Sequence, residues 1–306
     1  MRSRTHRLHL AWIAFLLALS SVLSAQAPAP QKASKKQVLM WKVSSPTGSA
    51  YLLGSIHVGS PDMYPLPDGI EKAFASSQAL VVEVNINNMS PATAMGLIQK
   101  FGMYSGDDSL ARHISKEDSA VLDRFCTDHS MPRQMMDKFK PWVAAITVLA
   151  AGLKEAGLDT SLGIDKHFLD EVKPPQQIKE LETAEFQMSV LASGSDQEQQ
   201  QLLSDTLKQV SRFKDLLNKI ETAYFSGDAE SLLKLTREEQ AGPESLMKRL
   251  VDDRNVTMSQ KIEEMLKTGN QYFVVVGALH IIGEKGIASL LRSRGYKVDQ
   301  MVVTTD

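Results

Sequence analysis

The chain has a single cysteine, Cys126, in 306 residues, which excludes an internal disulfide and leaves no thiol near the amino terminus to carry a lipid. A basic excess is also lacking: 34 Lys+Arg stand against 36 Asp+Glu, so the composition offers no nucleic-acid footprint. HExxH, GxSxG and Walker patterns are absent, which removes the best-marked zinc-protease, serine-hydrolase and nucleotidase readings. Long apolar runs are scarce. The one near the amino terminus, Leu8 to Leu23, is interrupted by His9, Ser20 and Ser21 and is marginal for crossing a bilayer.

That run follows Arg2, Arg4 and Arg7 and precedes the small-residue stretch "AQA" at 25–27, so 1–27 reads as a cleaved signal peptide in preference to a retained anchor. A flexible Pro/Ala/Lys leader over 28–38 follows, then a single domain over 39–306. Cleavage removes three arginines and no acid, leaving 31 Lys+Arg against 36 Asp+Glu, a net charge of about −5. The expected product is a soluble protein without a stable membrane span, periplasmic or secreted, from a Gram-negative bacterium. At 43% hydrophobic and 23% charged it has ordinary globular composition, enough for a sizeable core.

Two stretches stand out in what is present. "YLLGSIHVGS" at 51–60 and "YFVVVGALHIIGEKG" at 272–286 each end an apolar run with Gly-x-x-His. The first belongs to a hairpin over 41–59, followed by a short helix "DGIEKAFASS" and by "ALVVEVNI", whose continuous apolar character predicts a strand buried on both faces. The second is followed by a helix "GIASLLRSRG", closed by Gly295, and by a strand "YKVDQMVV". The order strand, Gly-x-x-His, helix, strand thus occurs twice. The spacing predicts an α/β fold, bordering on α+β, in which two half-units form a central sheet. Between them, over about 90–268, helical periodicity predicts an insertion that caps a cleft, with helices over 116–128, 133–156, 164–172, 184–192, 197–225 and 244–267 and one short strand over 178–182.

Five histidines remain after processing: His57, His113, His129, His167 and His280. Two hold equivalent places in the half-units. A glycine just past a strand lets the chain turn sharply, and a residue three positions on can point back over the carboxyl edge, where open α/β sheets bind ligands. Glu83 interrupts a strand that should be apolar, and a buried carboxylate is costly unless it is paired or bound to a metal. His57, His280 and Glu83 together make a site for a divalent ion, with manganese, cobalt and zinc as candidates. Taken one by one, each histidine reads as a satisfied structural residue and Glu83 as the partner of an arginine or lysine. Arg254 could face the cleft as an oxyanion-stabilising cation or pair with Asp252 or Asp253 at the surface. Asp165 and Glu182 could orient ligands or cap helices. Met135 and Met136 are adjacent, cannot share a helix face, and read as core filling.

"LLGSIHVGS", "VVVEVN", "LGID", "KELETAEFQ", "RN" at 254–255 and "VVGALHIIGEKGIASLLRSRGYKV" resemble the TraB/GumN family, which includes the pheromone-shutdown protein PrgY and is similar to the Tiki membrane proteases. The resemblance implies a fold like that of the erythromycin esterase and ChaN-like proteins and metal-dependent cleavage of an exported peptide. It carries the family motif onto Gly54, His57, Glu83, Gly277 and His280, with Arg254 a weaker match. Two other functions stay open: a metal-free hydrolase using histidine and Glu83, and a non-catalytic peptide binder or accessory of envelope polysaccharide production.

Overall fold

The two apolar runs that end in Gly-x-x-His lie side by side. Residues 39–301 apart from Gln240 are described by a computed structural model; the expected signal peptide, the leader and residues 302–306 lie outside the described residues. Six strands form one sheet among the described residues: β1 (Met40–Ser44), β2 (Ser49–Ser55), β3 (Ala79–Val82), β4 (Gln177–Glu180), β5 (Gln271–Gly277) and β6 (Lys297–Met301), in the order β4-β3-β5-β2-β1-β6. β2 and β5 pair in parallel with Gly54 opposite Val276 and Ser55 opposite Gly277. β3 is parallel to both β4 and β5, and its four residues are all buried, as expected of an apolar run with no polar alternation. Only β1 runs against its neighbours, because the four-residue turn Ser45–Gly48 joins it to β2 as a hairpin.

The half-units interleave. From β2 the chain passes through α1 (Asp68–Ala75) and returns as β3 on the far side of β5. From β5 it passes through α13 (Ala278–Ile281) and α14 (Ile287–Ser293) and returns as β6, beyond β2 and β1. Each motif strand therefore sits inside the other unit's crossover.

The intervening helices are α2 (Pro91–Gly102), α3 (Lys116–Asp128), α4 (Arg133–Met136), α5 (Pro141–Glu155), α6 (Ile164–Glu171), α7 (Ala184–Ala192), α8 (Asp196–Gln209), α9 (Phe213–Phe225), α10 (Ala229–Glu238), α11 (Glu244–Met247) and α12 (Asp253–Leu266). The helix expected over 133–156 is two helices, since Pro141 lacks an N–H and opens α5 at its first turn. That expected over 197–225 divides into α8 and α9 at a tight turn, Val210–Arg212, beyond which Phe213 seats where any side chain on Gly152 would stand. α2 and α10 were outside the helical expectations; their caps, Ser90 and Asp228, accept from Thr93 and Ser231 N–H. The insertion is not wholly helical, because β4 completes the sheet edge.

Apolar packing fixes the layers. Phe273 of β5 meets Phe74 of α1 and Phe168 of α6, with ring centroids 5.5 and 4.8 Å apart. At the carboxyl edge, the buried Tyr224 hydroxyl of α9 donates to the Gly54 carbonyl, tying the insertion to the end of β2.

Gly54 is needed for close approach: a Cβ there would stand 3.1 Å from both Cα and Cβ of Ala278. Gly54→Ala should force α13 off β2 by a few tenths of an ångström and cost about 1–3 kcal/mol, read as a lowered urea midpoint at unchanged slope. An unchanged midpoint would show that α13 does not depend on this contact.

Candidate functional site

Parallel strands deliver their following residues to one edge, so the order β3-β5-β2 brings Glu83, Gly277 and His57 together there. Glu83 is the first residue beyond β3, and His280 lies three residues past the end of β5. His57 Nε2 stands 4.0 Å and His280 Nε2 3.8 Å from Glu83 Oε1. Gly277 lies among them: a methyl added to it would sit 3.4 Å from His57 Nε2, 3.5 Å from Glu83 Oε1 and 3.5 Å from His280 Cδ2. The absent side chain is what leaves space between the three groups.

Each imidazole is held from behind. His57 Nδ1 lies 2.9 Å from Asp165 Oδ1, and that oxygen also accepts from the Ser55 hydroxyl at 2.8 Å. Asp165 reaches this place from the first turn of α6, where its own N–H donates to Ser55 Oγ at 3.2 Å. His280 Nδ1 lies 2.7 Å from Asn255 Oδ1. Asn255 Nδ2 donates to the Lys285 carbonyl at 2.9 Å, so its oxygen must face the ring and His280 Nδ1 must carry the proton. Nε2 of His280 is thereby left with its lone pair towards Glu83. Outer acceptors of this kind orient metal-ligating histidines and raise their basicity.

Glu83 is fully engaged. Its Oε1 accepts from the Gly277 N–H at 2.8 Å, and its Oε2 from Arg254 Nη2 at 2.7 Å and Gln187 Nε2 at 3.1 Å. Arg254 does not face the open cleft and does not pair with Asp252 or Asp253. It is 2% exposed, with Nε 2.9 and 3.0 Å from the two oxygens of Glu182 and Nη1 2.8 Å from the Leu250 carbonyl. Asp252 and Asp253 take Lys285 and Lys248 instead. Glu182 is within reach because β4 runs beside β3 and its N–H donates to the Glu83 carbonyl at 2.8 Å. Arg254 follows a π-helical turn, Lys248–Asp252, between α11 and α12, a widened turn of the sort that recurs at functional sites.

Burial by itself would raise the pKa of Glu83, but the charges beside it, that of Arg254 above all, and the Gly277 N–H hold it down to about 2. Burial pushes His280 down to about 3 against the pull of Glu83, so this ring is neutral. For His57 burial also lowers the pKa, yet Asp165 and Glu83 outweigh it and the result is raised. Two buried carboxylates, Glu83 and Glu182, share the Arg254 guanidinium, while Asp165 pairs with His57. Two imidazole nitrogens and a carboxylate oxygen are the donor chemistry of zinc, cobalt or manganese. Ligand atoms about 2.1 Å from an ion at tetrahedral angles lie roughly 3.4 Å apart. The observed spacings are a few tenths wider, and among the described residues no three such donors stand in closed metal-holding geometry. The residue types suit such an ion, while their spacings are wider than a closed site has.

The other histidines are structural. His113 bonds Asp108 and stacks on Tyr104, His129 bonds the Phe125 carbonyl, and His167 bonds Glu71. Met136 is buried and Met135 exposed. Asn255, Gln187 and Ser55 were not singled out by the sequence, although all three lie inside or beside the short motifs quoted above.

The TraB/PrgY/gumN family model matches residues 39–300. The uncharacterized protein YbaP of Escherichia coli (strain K12) is 28% identical over 243 residues, 79% of this chain and 87% of that protein. YbaP of Shigella flexneri is 28% identical over 244 residues, 79% of this chain and 88% of that protein. An uncharacterized protein of Treponema pallidum (strain Nichols) is 25% identical over 284 residues, covering 87% of this chain and 83% of its own. No solved structure matches the chain.

Removing Arg254 should leave Glu83 and Glu182 as two buried carboxylates without the guanidinium they share. Arg254→Met is expected to cost about 3–5 kcal/mol in a urea titration, whereas a loss under about 1 kcal/mol would deny the arginine this role. The acid side of the stability profile tests the histidine. Below its ordinary pKa of 6.5 the unfolded chain binds a proton that His280, at about 3, refuses, so stability falls as pH drops from 6.5 towards 3. Glu83 acts in the same direction, its contribution being present above 4.5 and lost towards 2. His57, being raised, contributes below 6.5 and ceases to do so as pH rises through its folded value. In metal-free protein, His280→Gln should flatten the loss of stability between pH 6.5 and 3; an unaltered slope would mean that the buried ring takes up its proton freely.

Proposed function

The chain belongs to the TraB/PrgY/gumN family, and from that premise we propose that it is an exported, metal-dependent hydrolase whose substrate is a peptide. One observation carries the reading: His57 Nε2, His280 Nε2 and Glu83 Oε1 gather within 4.0 Å around Gly277, with each ring's Nδ1 held by an outer acceptor. His57, His280 and Glu83 would hold the ion; bound there, a divalent cation polarises a carbonyl and lowers the pKa of water.

The protein's own groups set the terms of such a reaction. The His57 side chain is 14% exposed against 3% for His280 and 7% for Glu83, so a substrate approaches from the His57 side. With a pKa near 2, Glu83 is a poor proton acceptor, and its part is to supply negative charge. Arg254 is a positioning residue: it fixes which Glu83 oxygen turns inward and does not reach the cleft. Asp165 keeps the outer nitrogen of His57 protonated, and Asn255 does so for His280, so both inner nitrogens face the same space. The buried carboxylates outnumber the one guanidinium, which favours a cation between them.

A second reading, a metal-free hydrolase, is favoured by the different partners of the two rings. Asp165 raises His57 while His280 stays neutral, and a pair of titrating groups driven apart is what acid–base chemistry uses.

Gly277→Ala separates site from fold. Its φ of −48° and ψ of 137° suit alanine, and the methyl meets its neighbours at ordinary contact distances, so stability should change by less than about 1 kcal/mol. Divalent-metal affinity, measured by calorimetry, and peptide hydrolysis should both fall beyond the roughly 10–100-fold that losing an outer partner costs. Hydrolysis that survives thorough chelation and metal analysis would transfer support to the metal-free reading. Retained metal affinity in Gly277→Ala would contradict the proposed ligand set. His57→Ala and His280→Ala should each abolish metal binding, and the double variant should cost little more than either, since residues that act as a unit are non-additive.

A further inference from the structure

Beside the histidines, a pocket of about 220 Å³ opens between the carboxyl edge of the sheet and helices α9 and α10. Its floor is the chain on both sides of His57, at Ser55, Ile56 and Val58, together with Ala278 and Leu279, which separate Gly277 from His280. Leu217 and Ile220 of α9 and Leu232 of α10 form its roof. It touches both Gly-x-x-His segments, and Ser55 in its wall bonds Asp165, the partner of His57.

The interior is apolar in a specific sense. Of the three hydroxyls in its wall, Ser55 donates to Asp165 and Thr236 to the Leu233 carbonyl at 2.9 Å, while Ser60 is half-buried before the turn Pro61–Met63. Charged groups occur with both signs: Asp62 and Lys214 are exposed at the mouth, and Glu221 is half-buried in the wall. Away from Ser60, Asn218 and Glu221, a polar or charged group pushed inside would lose its water without gaining a partner, whereas an apolar group gains by leaving water. Size sets the limit, since an apolar cavity of about 150 Å³ admits a benzene ring. One aromatic or branched aliphatic side chain fits, and two do not.

We propose that this pocket receives one large apolar side chain of the substrate, so that the peptides acted on carry an aromatic or branched aliphatic residue next to the bond cleaved. This rests on the hydrolase reading for the bond-breaking step but not for binding. Cleavage adds water across the amide: the C–N bond breaks, the acyl carbon takes the hydroxyl and the departing nitrogen takes the remaining proton.

The test uses blocked pentapeptides, acetyl-Ala-Ala-X-Ala-Ala-amide, with leucine, phenylalanine, glycine, aspartate or lysine at X. Binding is followed by calorimetry and cleavage by mass spectrometry, on the full exported chain with manganese, cobalt or zinc supplied. Leucine and phenylalanine peptides should bind and be cleaved at least about tenfold better than the others. Ile220→Trp fills the roof from a half-buried position and should erase that preference while metal content and Tm hold; Leu158→Trp, also half-buried on the wall, serves if Ile220→Trp does not fold. Cleavage without preference, or a preference that survives the filling variant, overturns the pocket and leaves the hydrolase reading intact. Preferential binding that Ile220→Trp abolishes, with no cleavage of any peptide, upholds the pocket and overturns the hydrolase reading. Failure of every peptide to bind overturns the pocket.

Discussion

Glu83 must remain ionised where its strand is buried on both faces, and the rest of the site is arranged around that requirement. A lone carboxylate in such a place would neutralise itself by taking a proton. Arg254 prevents this, and holding Arg254 in turn needs Glu182, which is available because β4 pairs with β3. The π-helical turn before α12 places the arginine, and its carbonyl at Leu250 takes one guanidinium N–H. Gln187 on α7 closes the far side by donating to Glu83 and Glu182. An ion pair buried this deeply is weak support for stability as such, because an apolar replacement often does as well. Its persistence here is better understood as the means of presenting Glu83 Oε1 with charge.

The repeated motif solves two different problems with the same residue. Gly54 lets α13 lie against β2, which brings His280 to the edge; Gly277 opens the space between the rings and the carboxylate. Both follow from β2 and β5 being adjacent and parallel in the interleaved order, so that two sequence-distant turns meet at one edge. Contact with the insertion is made at the same point, through Tyr224 and the Gly54 carbonyl. A carboxylate behind one ring and an amide behind the other make the pair unequal. The pKa of His57 is raised, so under the metal-dependent reading proposed here a proton would compete with the ion at this ring.

Much of this was legible in the sequence where pattern and chemistry coincide. The apolar run "ALVV" gave the buried parallel strand, and a glutamate directly after it was conspicuous for being there at all. Gly-x-x-His occurring twice marked His57 and His280, and Asp165 and Glu182 were recognised as either orienters or caps. Arg254 could not be placed, since "DDRN" offers two neighbouring acids and its true partners are 72 and 171 residues away. Asn255 and Gln187 give no sequence signal, because an amide carries no charge to betray its partner. Helix boundaries failed where one proline intervened, at Pro141, and α2 was hidden by a sequence rich in glycine and small residues.

X-ray absorption at the metal edge tests the central claim most directly, on the protein loaded in turn with manganese, cobalt and zinc. The account predicts a single site per chain with nitrogen and oxygen ligands only, and with the outer-shell scattering of two imidazoles, reduced to one in His57→Ala or His280→Ala where any ion remains. A bound ion with the same imidazole scattering in those variants, or a chain that retains no ion above the buffer background, would contradict it.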